Sequence, residues 1–261
     1  MLTREDLVRY TEVTGFNLDQ VEKDYVQHVF LLNLYRRISD EFIFKGGTAL
    51  QKCYGLNRFS ENVDFTLSRD ISVEEIIEKS IVGMNLFGCE SSTKKMKDDD
   101  ISVSFQIRVR GPLYDGREKS CAYVRVEISR REKPIFPPTK INIIPMYRDL
   151  PPYIVSMMEV SEIMAEKVRA VLTRERARDV YDLYFLIGKG VETNLEMIED
   201  KLRYYSMEFN TDEFVSAVER KERLWYNELR NLVPQIPDFD IVKESIYEWI
   251  RGSINLNETQ R

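Results

Sequence analysis

Six of the chain's nine prolines fall between residues 134 and 152. Proline has no N–H to give to a helix turn or a strand ladder, and its ring fixes φ, so no long helix and no central strand crosses that stretch. The patterns on its two sides differ in kind. Upstream, short runs that alternate apolar and polar residues lie among segments with helical spacing. Downstream, apolar residues recur only at helical intervals. The stretch is therefore the natural boundary between an α+β domain over residues 1–150 and a helical domain over 151–261. At 261 residues the chain is long enough for one large core or two modest ones.

Residues 3–40 read as helical, with Val21, Tyr25, His28, Val29, Leu32 and Tyr35 in register. Phe42-Ile43-Phe44 is a short strand that runs into Lys45-Gly46-Gly47. Thr48 to Tyr54 reads as a short helix that Gly55 stops. Val63 to Leu67 alternates as a strand does. Ser72, with Glu75 three residues on, has the form of a capping box opening a helix over 72–86. The run from Lys94 to Asp100 reads as a charged, solvated loop. Strands are expected over 101–109, 121–129 and 141–144, with Gly111-Pro112 and Asp115-Gly116 turning the chain between the first two. The downstream helices are expected at roughly 160–174, 178–188, 194–206, 212–231 and 239–251.

The formal charge of −6 argues against a protein that coats nucleic acid through counterion release, and leaves room for a local basic patch. The three cysteines include no C-x-x-C pair, so neither a disulfide framework nor a zinc site is expected. The one histidine, His28, lies on an apolar helical stripe, where a core role is expected in place of a catalytic triad or a zinc ligand. No run approaches the roughly 18 apolar residues of a membrane span, and the first residues lack an apolar signal core, so the expected setting is the cytoplasm with no membrane partner.

Lys45-Gly46-Gly47-Thr48 is the most informative stretch. Glycines between a strand and a helix let the backbone approach a ligand and turn its amides outward, which suits phosphate oxygens. Thr48 could add its hydroxyl. A plain tight turn reads equally from these four residues alone. The next strand adds chemistry: Asn62 and Asp64 share one face because strand side chains alternate. Two oxygen ligands just beyond a phosphate cradle suit Mg²⁺, whose shell the substrate's phosphates would complete. Glu127, in the alternating run Val124 to Ile128, is either the third ligand or a solvent-facing glutamate. Arg125 and Ser129 lie on its face.

The run Lys45 to Leu50, then Tyr54-Gly55-Leu56 and Arg58-Phe59-Ser60-Glu61-Asn62-Val63-Asp64-Phe65, resembles the motif that opens the AbiEii/AbiGii nucleotidyltransferases. Glu162 to Ala170, with Arg174 and then Arg178-Asp179-Val180-Tyr181-Asp182-Leu183, is similar to their second signature. The likeness covers about residues 25–190, with gaps. It implies a polymerase-β-like nucleotidyltransferase domain, with a mixed sheet flanked by helices, followed by a C-terminal helical domain. It also implies a toxin that transfers a nucleotide from a nucleoside triphosphate to RNA, such as a tRNA end, or to a protein hydroxyl. Mg²⁺ or Mn²⁺ would serve as the metal, in a toxin–antitoxin or phage-defence pair. On this resemblance Lys45, Gly46, Gly47, Thr48, Ser60 and Lys167 contact the nucleotide, Asn62, Asp64 and Glu127 hold the metal, and Asp64, Glu127, Lys167 and Asp182 carry catalysis.

Two features complicate that expectation. The family pattern has Asp-x-Asp where this chain has Asn62-Val63-Asp64, which removes one negative charge from the metal site. A nucleotide-binding or regulatory module with impaired chemistry is therefore the alternative, and a purely structural antitoxin partner a third reading. Lys167 shares a helical stripe with Val160, Ile163, Met164, Val168, Val171 and Leu172, so its ammonium is either salt-bridged or meets phosphates. Asp182 lies off the apolar stripe of its helix. It either pairs with Arg178 four residues away or orients Lys167.

Overall fold

Two capped helices open the chain. The first, α1 (Arg4–Thr14), starts at Thr3, whose hydroxyl accepts from the Asp6 N–H while the Asp6 carboxylate accepts from the Thr3 N–H. The second, α2 (Leu18–Tyr35), opens on the same reciprocal pair made by Asn17 and Gln20. The computed structural model describes residues 1–258, which form two compact units: residues 1–55 with 59–158, and residues 56–58 with those from 159 onward.

The first unit is built on a mixed sheet. β1 (Phe42–Lys45) leads into a short helix, α3 (Gly46–Ala49), continued by a π-helical turn over Leu50–Tyr54. Then come β2 (Asn62–Leu67), α4 (Val73–Leu86), β3 (Glu90–Asp98), β4 (Ser102–Arg110), β5 (Ala122–Ser129), β6 (Thr139–Ile143) and β7 (Tyr153–Met157). The described strands lie in the order β3-β4-β5-β2-β1-β7-β6. The β2–β5 and β1–β7 pairs are parallel and the others antiparallel. Alternation decides the faces. Val103, Phe105, Ile107 and Val109 of β4 and Val124, Val126 and Ile128 of β5 are buried, and α2 and α4 pack on the sheet. The intervening residues Gln106, Arg125, Glu127, Asn62 and Asp64 share the other, more polar face.

Three local expectations are corrected. Most of the charged run, Lys94 to Asp98, falls within an edge strand, β3, with a bulge between Lys95 and Lys97 and most of its side chains exposed, and only Asp99 and Asp100 lie beyond the strand. Charge and bulges are how edge strands avoid pairing with other chains, so the run suits a strand as well as a loop. The chain beyond residue 150 first adds β7, which pairs with β6 and meets β1 at Phe44. Pro151-Pro152 masked that strand, although proline is tolerated just before one. Ser72 does precede α4, but its side chain caps nothing, and Glu75 pairs instead with Lys79 at 2.6 Å.

The second unit is helical: α5 (Val160–Thr173), α6 (Ala177–Gly188), α7 (Leu195–Arg203), α8 (Thr211–Arg220), α9 (Glu222–Leu229) and α10 (Phe239–Glu258). The helix expected over 212–231 is two helices. Around Lys221 the backbone switches to i→i+3 bonds, from the Lys221 N–H to Val218 and from the Leu224 N–H to Lys221, which tightens the turn and redirects the chain. Residues Glu162 to Val171 of α5 are all buried, so this helix is surrounded by its neighbours. Among the described residues no helix is long and apolar enough to cross a membrane.

Candidate active site

The first unit brings the glycine turn and the carboxylate strand together. Lys45 pairs in register with Asp64, so the residue after Lys45 comes up beside that carboxylate. Gly46 has φ +74, a left-handed conformation that disfavours any side chain. A Cβ built there would lie 2.8 Å from Asp64 Oδ2. The backbone of Gly46 therefore lies directly against the carboxylate, and only glycine permits it. The Thr48 hydroxyl, fully buried, donates to the backbone carbonyl of Asn62. Thr48 thus fastens the turn to β2, and its proton is committed there rather than to an anion.

Asp64 is the register partner of Glu127 across the parallel β2–β5 pair, and Asn62 is the partner of Arg125. The Asn62 Nδ2 donates to Glu127 Oε1 at 3.4 Å, and Arg125 Nε lies 2.9 Å from the same oxygen. Ser104 on β4 is the register partner of Glu127 from the other side. Its buried hydroxyl has no hydrogen-bond partner among the described residues. Such an orphan beside a carboxylate pair suits a water or a ligand oxygen.

The loop entering β2 is fixed from beneath. Gln27, fully buried, donates from Nε2 to the carbonyls of Ser60 (2.8 Å) and Glu61 (3.0 Å). Gln51 accepts from the Ser60 N–H at 3.0 Å and donates to Asp24 Oδ1 at 2.9 Å. Asp24 also takes Lys52 Nζ at 2.8 Å and the Tyr147 hydroxyl at 2.7 Å. Burial alone would raise the Asp24 carboxyl, but the Lys52 charge and these donors hold it below the usual range. His28 is buried in the same network, with Nδ1 2.7 Å from the Tyr153 hydroxyl, and burial pushes its imidazole down to about 3. Lys45 is also buried, with its ammonium 3.5 Å from Glu132 Oε2.

Lys167 and Asp182 belong to the helical unit, where they meet. Lys167 Nζ is 2.7 Å from Asp182 Oδ2 and 2.9 Å from Asp179 Oδ1. Arg58 closes the group with two bonds of 2.8 Å to Asp182. Asp182 is fully buried, which would raise its carboxyl, but Arg58 and Lys167 hold it below its ordinary value. Of the two readings of Asp182, its partner is Lys167 rather than Arg178, which lies 3.8 Å from Glu228. Burial of Asp179 and Asp182 on α6 is a correction of their expected place off the core stripe. It is tolerated because two cations neutralise them. Arg58 and Asp179 were not singled out from the sequence. The one signal for Arg58 was its position at the head of the first motif.

The groups on this face of β2 and β5 are two carboxylates and a carboxamide whose N–H₂ is turned to Glu127. Among the described residues no group of three or more acidic, histidine or cysteine side chains is placed so that it could hold a metal ion. That set, with the orphan hydroxyl of Ser104 beside it, fits a Mg²⁺-type ion, which is commonly held by one or two carboxylates plus substrate phosphates. It does not fit an ion needing a closed protein cage.

Solved structures share the fold, a mixed sheet followed by helices. MenT4, a nucleotidyltransferase toxin from Mycobacterium tuberculosis H37Rv, is similar with a TM-score of 0.70 at 18% identity, over 95% of this chain and 88% of that one. JHP933 from Helicobacter pylori is similar with a TM-score of 0.60 at 21% identity, over 94% of this chain and all of that one. No protein of curated function matches in sequence. The profile described as nucleotidyl transferase AbiEii toxin, type IV toxin–antitoxin system, matches residues 34–245, and the chain belongs to that family.

Proposed function

We propose that this chain transfers a nucleotide from a nucleoside triphosphate to an RNA hydroxyl, such as a tRNA end, with Mg²⁺ or Mn²⁺ held by Asp64 and Glu127. The observation that carries the reading is the contact of Gly46 with Asp64, itself in register with Glu127. The backbone after Lys45 supplies the anion-facing side and the carboxylates the cation-facing side of one pocket. When bound, the ion would neutralise charge on the triphosphate. The protein's part is positioning: Gly46 and Gly47 allow close approach, Thr48 ties the turn to β2, and Gln27 and Gln51 hold the Ser60 loop. The acceptor oxygen bonds to the α-phosphorus and gives up its hydroxyl proton to solvent, the bond from the α-phosphorus to the β-phosphate oxygen breaks, and pyrophosphate leaves with that oxygen. An antitoxin partner and a cytoplasmic setting belong to the same reading.

The test is incubation with each α-labelled nucleoside triphosphate, Mg²⁺ and either total RNA or protein. Label on RNA is the expected result, and label on protein would redirect the acceptor. No transfer, together with no nucleotide binding by calorimetry, would end the proposal.

Lys167 and Asp182 remain proposed contributors, with a separate test because their buried group also holds the helical unit. Lys167→Arg keeps the charge. Lost transfer at an unchanged unfolding midpoint supports contact with nucleotide, and unchanged transfer removes it.

One observation favours the alternative of an impaired enzyme. Asn62 presents its N–H₂ to Glu127, so it offers that site a donor where an aspartate would offer an oxygen. Asn62→Asp decides between the two. If the native chain binds nucleotide and only the variant turns over, the native chain is a binding module. Transfer by the native chain removes that reading.

A further inference from the structure

We propose that Arg125 is a built-in competitor for the divalent cation, occupying Glu127 until the ion and its nucleotide displace it. This rests on the reading above that Asp64 and Glu127 hold the ion.

Arg125 and Glu127 are two residues apart on β5 and so share a face. Arg125 Nε lies 2.9 Å from Glu127 Oε1, and Asn62 Nδ2 lies 3.4 Å from the same oxygen. Both donors therefore converge on one oxygen of the proposed ligand. A cation that takes this oxygen must first turn away the guanidinium, and it would then sit beside a positive charge. Arg125 can yield: its side chain is 53% exposed and that of Glu127 41%. Exposed pairs are weak, holding by about fivefold or less in equilibrium terms. The fully buried Arg58–Asp182 pair could not make way so cheaply.

Arg125 is also the register partner of Asn62, at the position where the family pattern has an acid. With Asn62 neutral, Asp64 and Glu127 carry two negative charges and Arg125 one positive charge. These three groups together carry one net negative charge without a cation. Cation and nucleotide then load together, because triphosphate oxygens give the displaced guanidinium a new partner.

The experiment is Mn²⁺ binding followed by electron paramagnetic resonance, without nucleotide, on the full chain. Arg125→Gln is expected to tighten Mn²⁺ by about three- to tenfold, with the larger effect at low salt. Arg125→Lys should stay near the native affinity. Arg108→Gln removes an equal charge from β4 that pairs with Glu118, and should change the affinity less than twofold. In a Glu127→Gln background, Arg125→Gln should have a smaller effect, because only the repulsion between its charge and the ion remains. Adding a non-hydrolysable triphosphate should tighten Mn²⁺ more in the native chain than in Arg125→Gln. Equal or weaker Mn²⁺ binding by Arg125→Gln, while the native chain binds Mn²⁺ and Asp64→Ala does not, overturns the role of Arg125 alone. Absence of Mn²⁺ binding in every variant overturns the cation site and this proposal together.

Discussion

Replacing Gly46 with alanine puts a methyl group where the Asp64 carboxylate lies. The added Cβ would stand 2.8 Å from Asp64 Oδ2 and 3.3 Å from Asp64 Cβ, on a backbone with φ +74. Two costs are involved, and the molecule contains the control that separates them. Gly55 has the same φ of +74, but a Cβ there meets nothing within 4 Å. Gly55→Ala should therefore cost only the left-handed conformation, about 1–2 kcal/mol. Gly46→Ala should add about 1–3 kcal/mol of overpacking, for a total of roughly 2–5 kcal/mol. The assay is urea unfolding at pH 7 on both single variants and on Gly46→Ala in an Asp64→Ala background. Without the carboxylate, most of the extra cost should vanish, so the cycle gives a coupling of about 1 kcal/mol or more. Gly46→Ala should also lose Mn²⁺ and nucleotide affinity that Gly55→Ala retains. If Gly46→Ala costs no more than Gly55→Ala, and the same with or without Asp64, the turn does not press on the carboxylate. The proposed pocket then has no basis.

Other consequences are as direct. Burial pushes the Glu22 carboxyl up to about 7 from its ordinary 4.5, against the stabilising N–H of Leu113 at 2.6 Å. The folded chain therefore keeps a proton that the unfolded chain gives up. This contribution is fully present below about pH 4.5 and lost as pH rises through about 7. Glu22→Gln should remove that slope, so its unfolding free energy should gain on the native one between those pH values, by a few kcal/mol at most; a constant difference across the range would refute the assignment. Lys201, fully buried, lies 2.5 Å from Glu162 and 3.6 Å from Glu166. Lys201→Met should destabilise the helical unit by about 3–5 kcal/mol in denaturant melts, and a loss under 1 kcal/mol would mean the carboxylates are neutralised otherwise. Gln27→Leu leaves the Ser60 and Glu61 carbonyls without their donor, at about 1–3 kcal/mol. It should also speed hydrogen exchange at Asn62 to Asp64, and unchanged exchange there would show that the loop is held by other bonds.

What could be read from the chain was what is local. The strand at Phe42, the glycine turn and the Gly55 stop are each written within ten residues, because φ preference and strand alternation act at short range. The shared face of Asn62 and Asp64 follows from a period of two and nothing else. β3 escaped notice because its pairing with β4 outweighs a composition that, alone, looks like a solvated loop. β7 escaped because its partners are β6 and a strand more than a hundred residues earlier, a pairing no local pattern announces.

The same distinction separates the two charged groups. Glu127 could be proposed as the companion of Asp64 because it lies in an alternating strand, although the register that aligns the two is set by the sheet. The group around Lys167 could not be resolved in this way. Periodicity puts Asp179 and Asp182 off the apolar stripe of α6, and on that basis they belong in water. They are buried because Arg58, 124 residues before Asp182, and Lys167 on α5 bring two positive charges to them. A lone lysine on an apolar stripe signals that a partner must exist, since its desolvation has to be offset. It does not say whether that partner is a carboxylate or a phosphate. Here the carboxylates are in place, so any use of the Lys167 ammonium on a nucleotide must compete with two buried anions. Lys167→Arg, which keeps the charge but alters its reach, is therefore more informative than a deletion of the charge.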